Sequence, residues 1–166
     1  MYDICSPELA DEARKLGITV IAAQRVTKPA RSQQFTMAAS TDRKLLKSVD
    51  MLYDLELLDK RKDHLHHRNS GLDSTLAKLC KQHEVLVGIN LRNLRTLDPV
   101  VLGRVMQNIE LARQHKTRMA VFSDARTAAE LANPSDIQSL LLTLGMSTSQ
   151  AKETMANLEH KCKAKH

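Results

Sequence analysis

Aromatic side chains are nearly absent from this chain of 166 residues, where they make up 2% of the sequence as Tyr2, Phe35, Tyr53 and Phe122. Proteins that hold single-stranded nucleic acid stack its bases on several exposed rings, so this composition argues against a base-stacking platform. Any nucleic acid bound by this chain is therefore expected to be structured, and to be recognised by its shape and its phosphates.

Glycine and cysteine are also scarce, which excludes several kinds of site. There are five glycines, and neither GxGxxG nor GxxxxGK[ST] occurs, so a backbone cradle for phosphate is not expected. No GxSxG elbow is present, which removes the nucleophile of an α/β-hydrolase. The three cysteines, Cys5, Cys80 and Cys162, lie far apart and form no CxxC pair, so we expect reduced thiols.

Long apolar runs are missing as well. No run approaches the ~20 residues of a membrane span, and acidic residues near the start of the chain do not fit a signal peptide. We therefore expect a soluble, cytoplasmic protein with no membrane contact. Apolar residues, at 42%, are spread along the whole length, which predicts one domain over residues 1–166. The net charge of +6 favours anionic partners without identifying one.

Short β-branched runs alternate with helical segments along the sequence. The predicted strands are YDIC (2–5), ITVIAA (18–23), FTMAA (35–39), MLYDLEL (51–57), VLVGINL (85–91) and MAVFS (119–123). Helices are predicted between them, including a brief one from about Pro29, and at about 125–132, 134–144 and 148–162 near the C-terminus. This alternation predicts right-handed βαβ units and an α/β fold. About six parallel strands are fewer than the eight of a complete barrel, so we predict a compact or incomplete TIM-barrel-like fold with extra C-terminal helices, although an open doubly wound sheet also fits.

A histidine cluster, HLHH, follows the fourth predicted strand. His64 and His66 form an HxH pair, a pattern that metal-dependent hydrolases on α/β barrels use to bind an ion. A catalytic zinc needs a third protein ligand, and Asp124, at the end of the sixth strand, is the candidate on the same side of the fold. A metal-dependent phosphoesterase is therefore the alternative interpretation. A solvated polar loop that contains His64, His66 and His67 is the simpler one.

Basic residues follow most of the predicted strands. Arg25 and Lys28 follow the second strand, residues 60–68 the fourth, Arg92 and Arg95 the fifth, and Arg126 the sixth. In a βα fold all of these loops emerge at one edge of the sheet. Arginines that converge there would form a phosphate-binding surface, because guanidinium groups match phosphate oxygens in pairs. Ordinary solvated loops would show the same charge without binding a ligand.

Two longer stretches carry a family resemblance. GLDSTLAKL (71–79) with VLVGINLRNL (85–94), and AVFSDARTAAELANPSDIQSLLLTLGM (120–146), resemble segments of ribonuclease P protein component 3, the thirty-kilodalton-type subunit of archaea and eukaryotes. MYDIC resembles the opening strand of that family, so the similarity extends over nearly the whole chain. The resemblance implies a TIM-barrel-like fold and a protein subunit of the ribonucleoprotein that removes the 5′ leader of precursor tRNA.

The resemblance also implies partners and site residues. In that family the RNA subunit and its Mg²⁺ ions perform the chemistry, so no catalytic residue, metal ligand or protein-bound cofactor is expected. The protein pairs with a second small subunit, as a heterodimer or heterotetramer, supports the ribonuclease P RNA, and meets precursor tRNA only indirectly. Position in the motifs marks Arg68, Arg92, Ser123 and Arg126 for RNA contact. The full predicted RNA-binding set is Arg25, Lys28, Arg61, Lys62, Arg68, Arg92, Arg95, Ser123 and Arg126.

The chain departs from the family pattern in two places. One βα unit is missing or compressed between MYDIC and ITVIAA, and Ala132, Asn133 and Ser135 stand where many members carry arginines. The RNA contact that those arginines would make is therefore expected to be either lost or moved elsewhere, with residues 60–68 as the candidate. A purely structural scaffold that binds only a protein partner remains a further alternative.

Overall fold

The computed structural model describes residues 1–29, 32–63 and 68–165. Its strands are β1 (Tyr2–Asp3), β2 (Thr19–Val20), β3 (Ala23–Arg25), β4 (Phe35–Ala38), β5 (Met51–Leu52), β6 (Leu86–Asn90) and β7 (Met119–Phe122). Its helices are α1 (Ala10–Lys15), α2 (Leu55–Leu58), α3 (Ser74–Gln82), α4 (Leu91–Leu94), α5 (Pro99–His115), α6 (Pro134–Thr143) and α7 (Thr148–Lys163). Short 3₁₀ helices cover Pro7–Leu9, Arg43–Lys47 and Ala128–Glu130.

All strand pairs are parallel, and together they occupy six positions around a barrel-like ring. One sheet has the order β3-β4-β5-β6-β7, and a second pairs β1 with β2. Only Ile21 and Ala22 separate β2 from β3, so one stretch of chain serves both sheets. On the other side, the Asp124 N–H donates to the Ile4 carbonyl at 3.0 Å, which links the segment after β7 to the segment after β1. The prediction of a compact TIM-barrel-like fold with about six parallel strands is confirmed.

The interior of the ring is filled by alternate residues of the strands, as expected where side chains alternate between two faces. Phe35, Met37, Met51 and Phe122 are buried there. A methyl group on Gly88 would lie 2.9 Å from the Met51 sulfur and 3.1 Å from the Phe122 ring, so glycine at this position makes room for both.

Helix α7 packs against β7 and β1 and closes the amino-terminal end of the ring. Leu158 of α7 is fully buried within the interior cluster. The Asn157 side chain donates to the Met119 carbonyl at 2.8 Å, and the Lys161 ammonium donates to the Glu84 carbonyl at 2.8 Å. The extra C-terminal helices predicted from the sequence therefore include α7, which covers the amino-terminal end of the barrel.

Several predicted elements are corrected. The fourth strand ends at Leu52 and does not include DLEL, because Asp54 adopts a left-handed conformation (φ 54°) that turns the chain into α2. The described residues around Pro29 contain no helix, although 30 and 31 lie outside the described residues. The helix predicted at 125–132 is only the 3₁₀ turn Ala128–Glu130. No described helix is both long and apolar enough to cross a membrane.

Candidate nucleic-acid interface

The carboxyl ends of the strands bring several predicted residues to one edge of the barrel. Arg25 is the last residue of β3, Arg92 lies in α4 directly after β6, and Asp124 follows β7. Asp54 and Asp124 both have positive φ angles, 54° and 49°, which turn the chain sharply at the end of β5 and β7. Charged side chains are thus held on short, well-defined turns rather than on long loops.

Three predicted arginines, Arg25, Arg92 and Arg95, gather around the carboxylates of Asp124 and Glu130 at this edge. Arg126 joins them through its backbone N–H only, and we call the four residues the rim arginines. Arg25 forms an ion pair with Asp124. Arg92 donates to the Asp124 carbonyl at 2.9 Å and to a Glu130 carboxylate oxygen at 3.0 Å. The Arg95 guanidinium lies 3.8 Å from the other Glu130 oxygen. The predicted convergence is therefore present, but much of its positive charge is balanced within the chain.

Glu130 also binds the backbone that follows Asp124, in addition to the arginine side chains. Its carboxylate accepts hydrogen bonds from the Arg126 N–H at 2.6 Å and the Thr127 N–H at 3.3 Å. The Arg126 N–H, together with the charges of Arg92 and Arg95, holds the pKa of Glu130 below its usual range. Arg126 is exposed, and so is Lys28, which follows β3.

Buried polar residues lie beneath the rim. Asp54 accepts hydrogen bonds from the Asn90 and Asn93 side chains, each at 2.9 Å, and Asn93 also donates to Glu56 at 2.8 Å. Burial raises the pKa of both Asp54 and Glu56. These groups brace the turns after β5 and β6 and leave contact with solvent to the arginines above.

Ser123, one of the predicted RNA-binding residues, is corrected to a structural role. Its side chain is fully buried, because it lies below the turn at Asp124. The Ser123 N–H donates to Asp3 at 2.7 Å, and its hydroxyl accepts from the Ala125 N–H at 3.1 Å. Asp3 is itself fully buried, its second carboxylate oxygen has no partner among the described residues, and burial raises its pKa.

The second group of predicted residues lies in what we call the basic loop, Asp59 to Asp63 together with Arg68. Arg61 pairs with Asp59 through two nitrogens, one of them 3.0 Å from the carboxylate, and its side chain is 78% exposed. Lys62 is exposed, and its carbonyl accepts from the Asn69 side chain. The Arg68 backbone is fixed to helix α5 by two hydrogen bonds with the Gln107 side chain, each at 2.8 Å.

Arg104 of α5 organises this loop, and sequence reasoning missed it. It is 7% exposed, and its guanidinium donates to Asp63 at 3.0 and 2.8 Å. It also donates to the carbonyls of Glu56, Asp59 and Arg61 at 3.0, 2.6 and 2.8 Å. The only signal in the sequence was a charged residue between the apolar positions Val101 and Val105 of a helix.

The metal-dependent alternative needs Asp124 together with His64 and His66. Asp124 is engaged by Arg25 and Arg92, and within residues 1–29, 32–63 and 68–165 no group of three or more His, Cys, Asp or Glu side chains could hold an ion. His64, His66 and His67 lie outside the described residues, so their predicted metal or loop role stays a prediction.

Comparisons with known proteins identify relatives over most of the chain. The family model described as RNase P subunit p30 matches residues 22–163. Ribonuclease P protein component 3 of Methanosarcina acetivorans is 31% identical over 120 residues, which cover 66% of this chain and 49% of that protein. The Methanocaldococcus jannaschii protein of the same name is 27% identical over 105 residues, or 61% of this chain and 44% of that protein. The chain thus spans about half the length of the curated relatives it matches.

A solved structure confirms the fold. A chain in a cryo-EM structure of archaeal ribonuclease P with mature tRNA superposes with a TM-score of 0.72 at 20% identity, covering 99% of this chain and 80% of that one. The motifs in the sequence, the six-position parallel ring and the family match over residues 22–163 agree, and the chain belongs to the RNase P subunit p30 family.

Proposed function

We propose that this chain is a non-catalytic protein subunit of ribonuclease P, which supports the catalytic RNA in removing the 5′ leader of precursor tRNA. The observation that carries the proposal is the family match over residues 22–163. The named relatives are protein components of ribonuclease P, and the solved structure with the same fold comes from that ribonucleoprotein with tRNA. The role of this chain is to bind RNA. The ribonuclease activity, which is a hydrolysis, belongs to the whole assembly.

The geometry of the rim is consistent with binding a structured RNA through its phosphates. Arg126 and Lys28 are exposed beside the ion-paired Arg25, and the basic loop adds Arg61 and Lys62. Guanidinium groups held on short turns lose little conformational freedom when they bind phosphate oxygens. The scarcity of aromatic rings favours this mode over base stacking.

The proposal extends to cofactors and partners. Mg²⁺ is expected on the RNA subunit and not on this chain. A second small ribonuclease P protein is expected to bind it, as a heterodimer or heterotetramer, and precursor tRNA is expected to be met mainly through the RNA. We place the assembly in the cytoplasm.

The test is a reconstitution of precursor tRNA cleavage. The cognate ribonuclease P RNA and its other proteins are mixed at moderate Mg²⁺ with and without this chain, and the chain is also tested alone. Cleavage at the mature 5′ end should rise when the chain is added, and the chain alone should cut nothing. An unchanged rate in an otherwise competent mixture would contradict the proposal.

Two further outcomes separate the alternatives. Affinity for RNA that exists only when the second protein is present would identify a scaffold. Hydrolysis by the chain alone, together with stoichiometric metal that His66→Ala removes, would identify a metal-dependent phosphoesterase.

A further inference from the structure

The helices of the barrel deliver basic residues to the end opposite the rim. In a parallel βα fold each helix ends near the start of the next strand, so all helix C-termini point to one face. Basic residues occupy the last turns of α1, α3, α5 and α7, where cations offset the negative end of the helix dipole. That local preference explains each residue singly, but the fold collects them on one surface. Further basic residues lie at the same end: Lys47 before β5, Lys116 and Arg118 between α5 and β7, and Lys165 after α7. We call Lys47, Lys116, Arg118, Lys161 and Lys165 the amino-terminal face.

The charges on this face are less neutralised than those of the rim. Lys165 pairs with Asp50 at 2.6 Å. Within the described residues, however, Lys47, Lys116 and Lys161 form no ion pair with a carboxylate. At the rim a phosphate must compete with Asp124 and Glu130 for the guanidinium groups of Arg25, Arg92 and Arg95. At the amino-terminal face it meets the ammonium groups of Lys47, Lys116 and Lys161, which no carboxylate of the described residues holds.

These residues line two neighbouring cavities along one stripe of α7. Lys47, His83, Lys161 and Lys165 line a cavity of about 490 Å³, together with Asp50, which pairs with Lys165. The next cavity, of about 250 Å³, is lined by Arg113, Lys116 and Arg118 and, on the side of α7, by residues that include Glu153. Arg118 donates to Asn157 at 2.8 Å, and Asn157 lies one helical turn before Lys161, so neighbouring residues of α7 border the two cavities.

The two cavities together border a length of α7 that suits a nucleic-acid strand rather than a single ion. At 1.5 Å per residue, the stripe of α7 from Gln150 to Lys161 runs for roughly 16 Å, which spans several phosphates of one strand. A protein partner would instead be anchored by apolar side chains. The large exposed apolar residues of the described chain, Leu57, Leu58, Leu97, Val100, Met106 and Leu142, line neither cavity.

We propose that the amino-terminal face is a second RNA-binding surface, where phosphates of a structured RNA bind along α7 at the opposite end of the barrel from the rim arginines. The chain then contacts RNA with both ends of the barrel. This inference rests on the proposed function for the identity of the RNA, but not for the location of the surface.

The test compares two variants that lose the same charge. Lys47→Gln, Lys116→Gln and Lys161→Gln are combined in one protein. The matched control combines Lys44→Gln, Lys78→Gln and Lys152→Gln. All three lysines are exposed: Lys44 lies on the same 3₁₀ helix as Lys47, Lys78 on α3, and Lys152 in the first turns of α7. The dissociation constant for the ribonuclease P RNA is measured between 50 and 300 mM salt. Removing one phosphate-binding charge lowers the slope of log K against log salt by about 0.9, so the first variant should lose about 2 to 3 from the slope and about tenfold or more in affinity at low salt. The control should stay near the wild-type protein.

Equal affinities and slopes for the two variants would overturn the inference. So would a variant that binds RNA like the control but no longer binds the second protein subunit, because the face would then belong to a protein. Both variants are also tested in the cleavage reconstitution. If the wild-type chain stimulates cleavage and the two variants bind alike, this inference fails and the proposed function stands. If the wild-type chain does not stimulate cleavage but only the first variant fails to bind RNA, the surface stands and the proposed function fails.

Discussion

Replacing Arg104 with methionine removes the cation that holds the basic loop to helix α5 while keeping a side chain of similar length. The guanidinium makes hydrogen bonds to the Asp63 carboxylate and to the carbonyls of Glu56, Asp59 and Arg61. One side chain thus satisfies three backbone acceptors and one charge. After the substitution, these acceptors must find water or remain without a partner.

The expected cost follows from the burial of the pair. The Arg104 and Asp63 side chains are 8% and 13% exposed. Removing one member of a buried ion pair typically costs 3–5 kcal/mol, because the other charge stays desolvated. The loop lies at the surface and can turn Asp63 toward water, so we expect a loss near the lower end, about 3 kcal/mol in the free energy of unfolding. Arg104→Lys keeps the charge but not the planar set of five donors, and should recover only part of the loss.

The functional effect should exceed what stability alone explains. Arg61 and Lys62 sit on the segment that Arg104 anchors, so Arg104→Met should weaken RNA binding even where the protein remains fully folded. Asp63→Asn in the same background completes a double-mutant cycle, and a coupling energy of about 1–3 kcal/mol is expected for residues in one network.

Urea unfolding, RNA affinity and their pH dependence together test this reasoning. Hydrogen bonds from Arg104 lower the pKa of Asp63, so the pair stabilises the fold above the ordinary aspartate pKa and loses its effect as the pH falls through the lowered value. The stability difference between the wild-type protein and Arg104→Met should therefore shrink in acid. A loss below about 1 kcal/mol with unchanged RNA affinity would refute the assignment of Arg104 as the anchor.

Three shorter predictions concern the same molecule. Arg61→Ala, Lys62→Ala and Arg68→Ala combined should weaken RNA binding and flatten its salt dependence, and an unchanged slope of log K against log salt would contradict a role in phosphate binding. Gly103→Ala should leave the free energy of unfolding within about 1 kcal/mol of wild type. The added methyl would lie 2.3 Å from the end of the Arg68 side chain, which is long and flexible enough to move aside. The displaced guanidinium should still weaken RNA binding, as a titration would show. Burial raises the pKa of Asp3, so its carboxyl favours folding only at low pH; the stability of wild type relative to Asp3→Asn, measured by denaturation, should fall as the pH rises from 4 to 7.

The barrel could be predicted from the sequence because its strands are continuous apolar runs. Leu86–Asn90 and Met119–Phe122 are buried at every residue, as expected for strands covered on both faces. The break at Ile21 and Ala22 could not be predicted, because both residues continue the apolar run and only the pairing of β2 and β3 with different sheets interrupts it. Helix α2 was missed because DLEL alternates like a strand, whereas the left-handed Asp54 redirects the chain.

The candidate site was predicted less completely, because sequence order gives the edge on which a residue lies but not its partners. Arg25, Arg92 and Asp124 were placed at the correct edge by the rule that loops after parallel strands converge. Their mutual neutralisation depends on distances across the barrel. The sequence order also does not show which polar residues are buried. Arg104 and Ser123 are both buried, and that burial decides the role of each.

Ion pairing changes how the charge of the chain should be interpreted. At the rim, Arg25, Arg92 and Arg95 form ion pairs with Asp124 and Glu130 on the segment after β7, which fixes their geometry but reduces the field they project into solvent. Among the lysines of the amino-terminal face, only Lys165 pairs with a carboxylate of the described residues. The others therefore project more of their electrostatic field into solvent. Long-range attraction of RNA should then arise mainly at the amino-terminal face, and oriented, short-range contacts at the rim. Salt should accordingly affect the association rate through Lys47, Lys116 and Lys161 more than through the rim arginines.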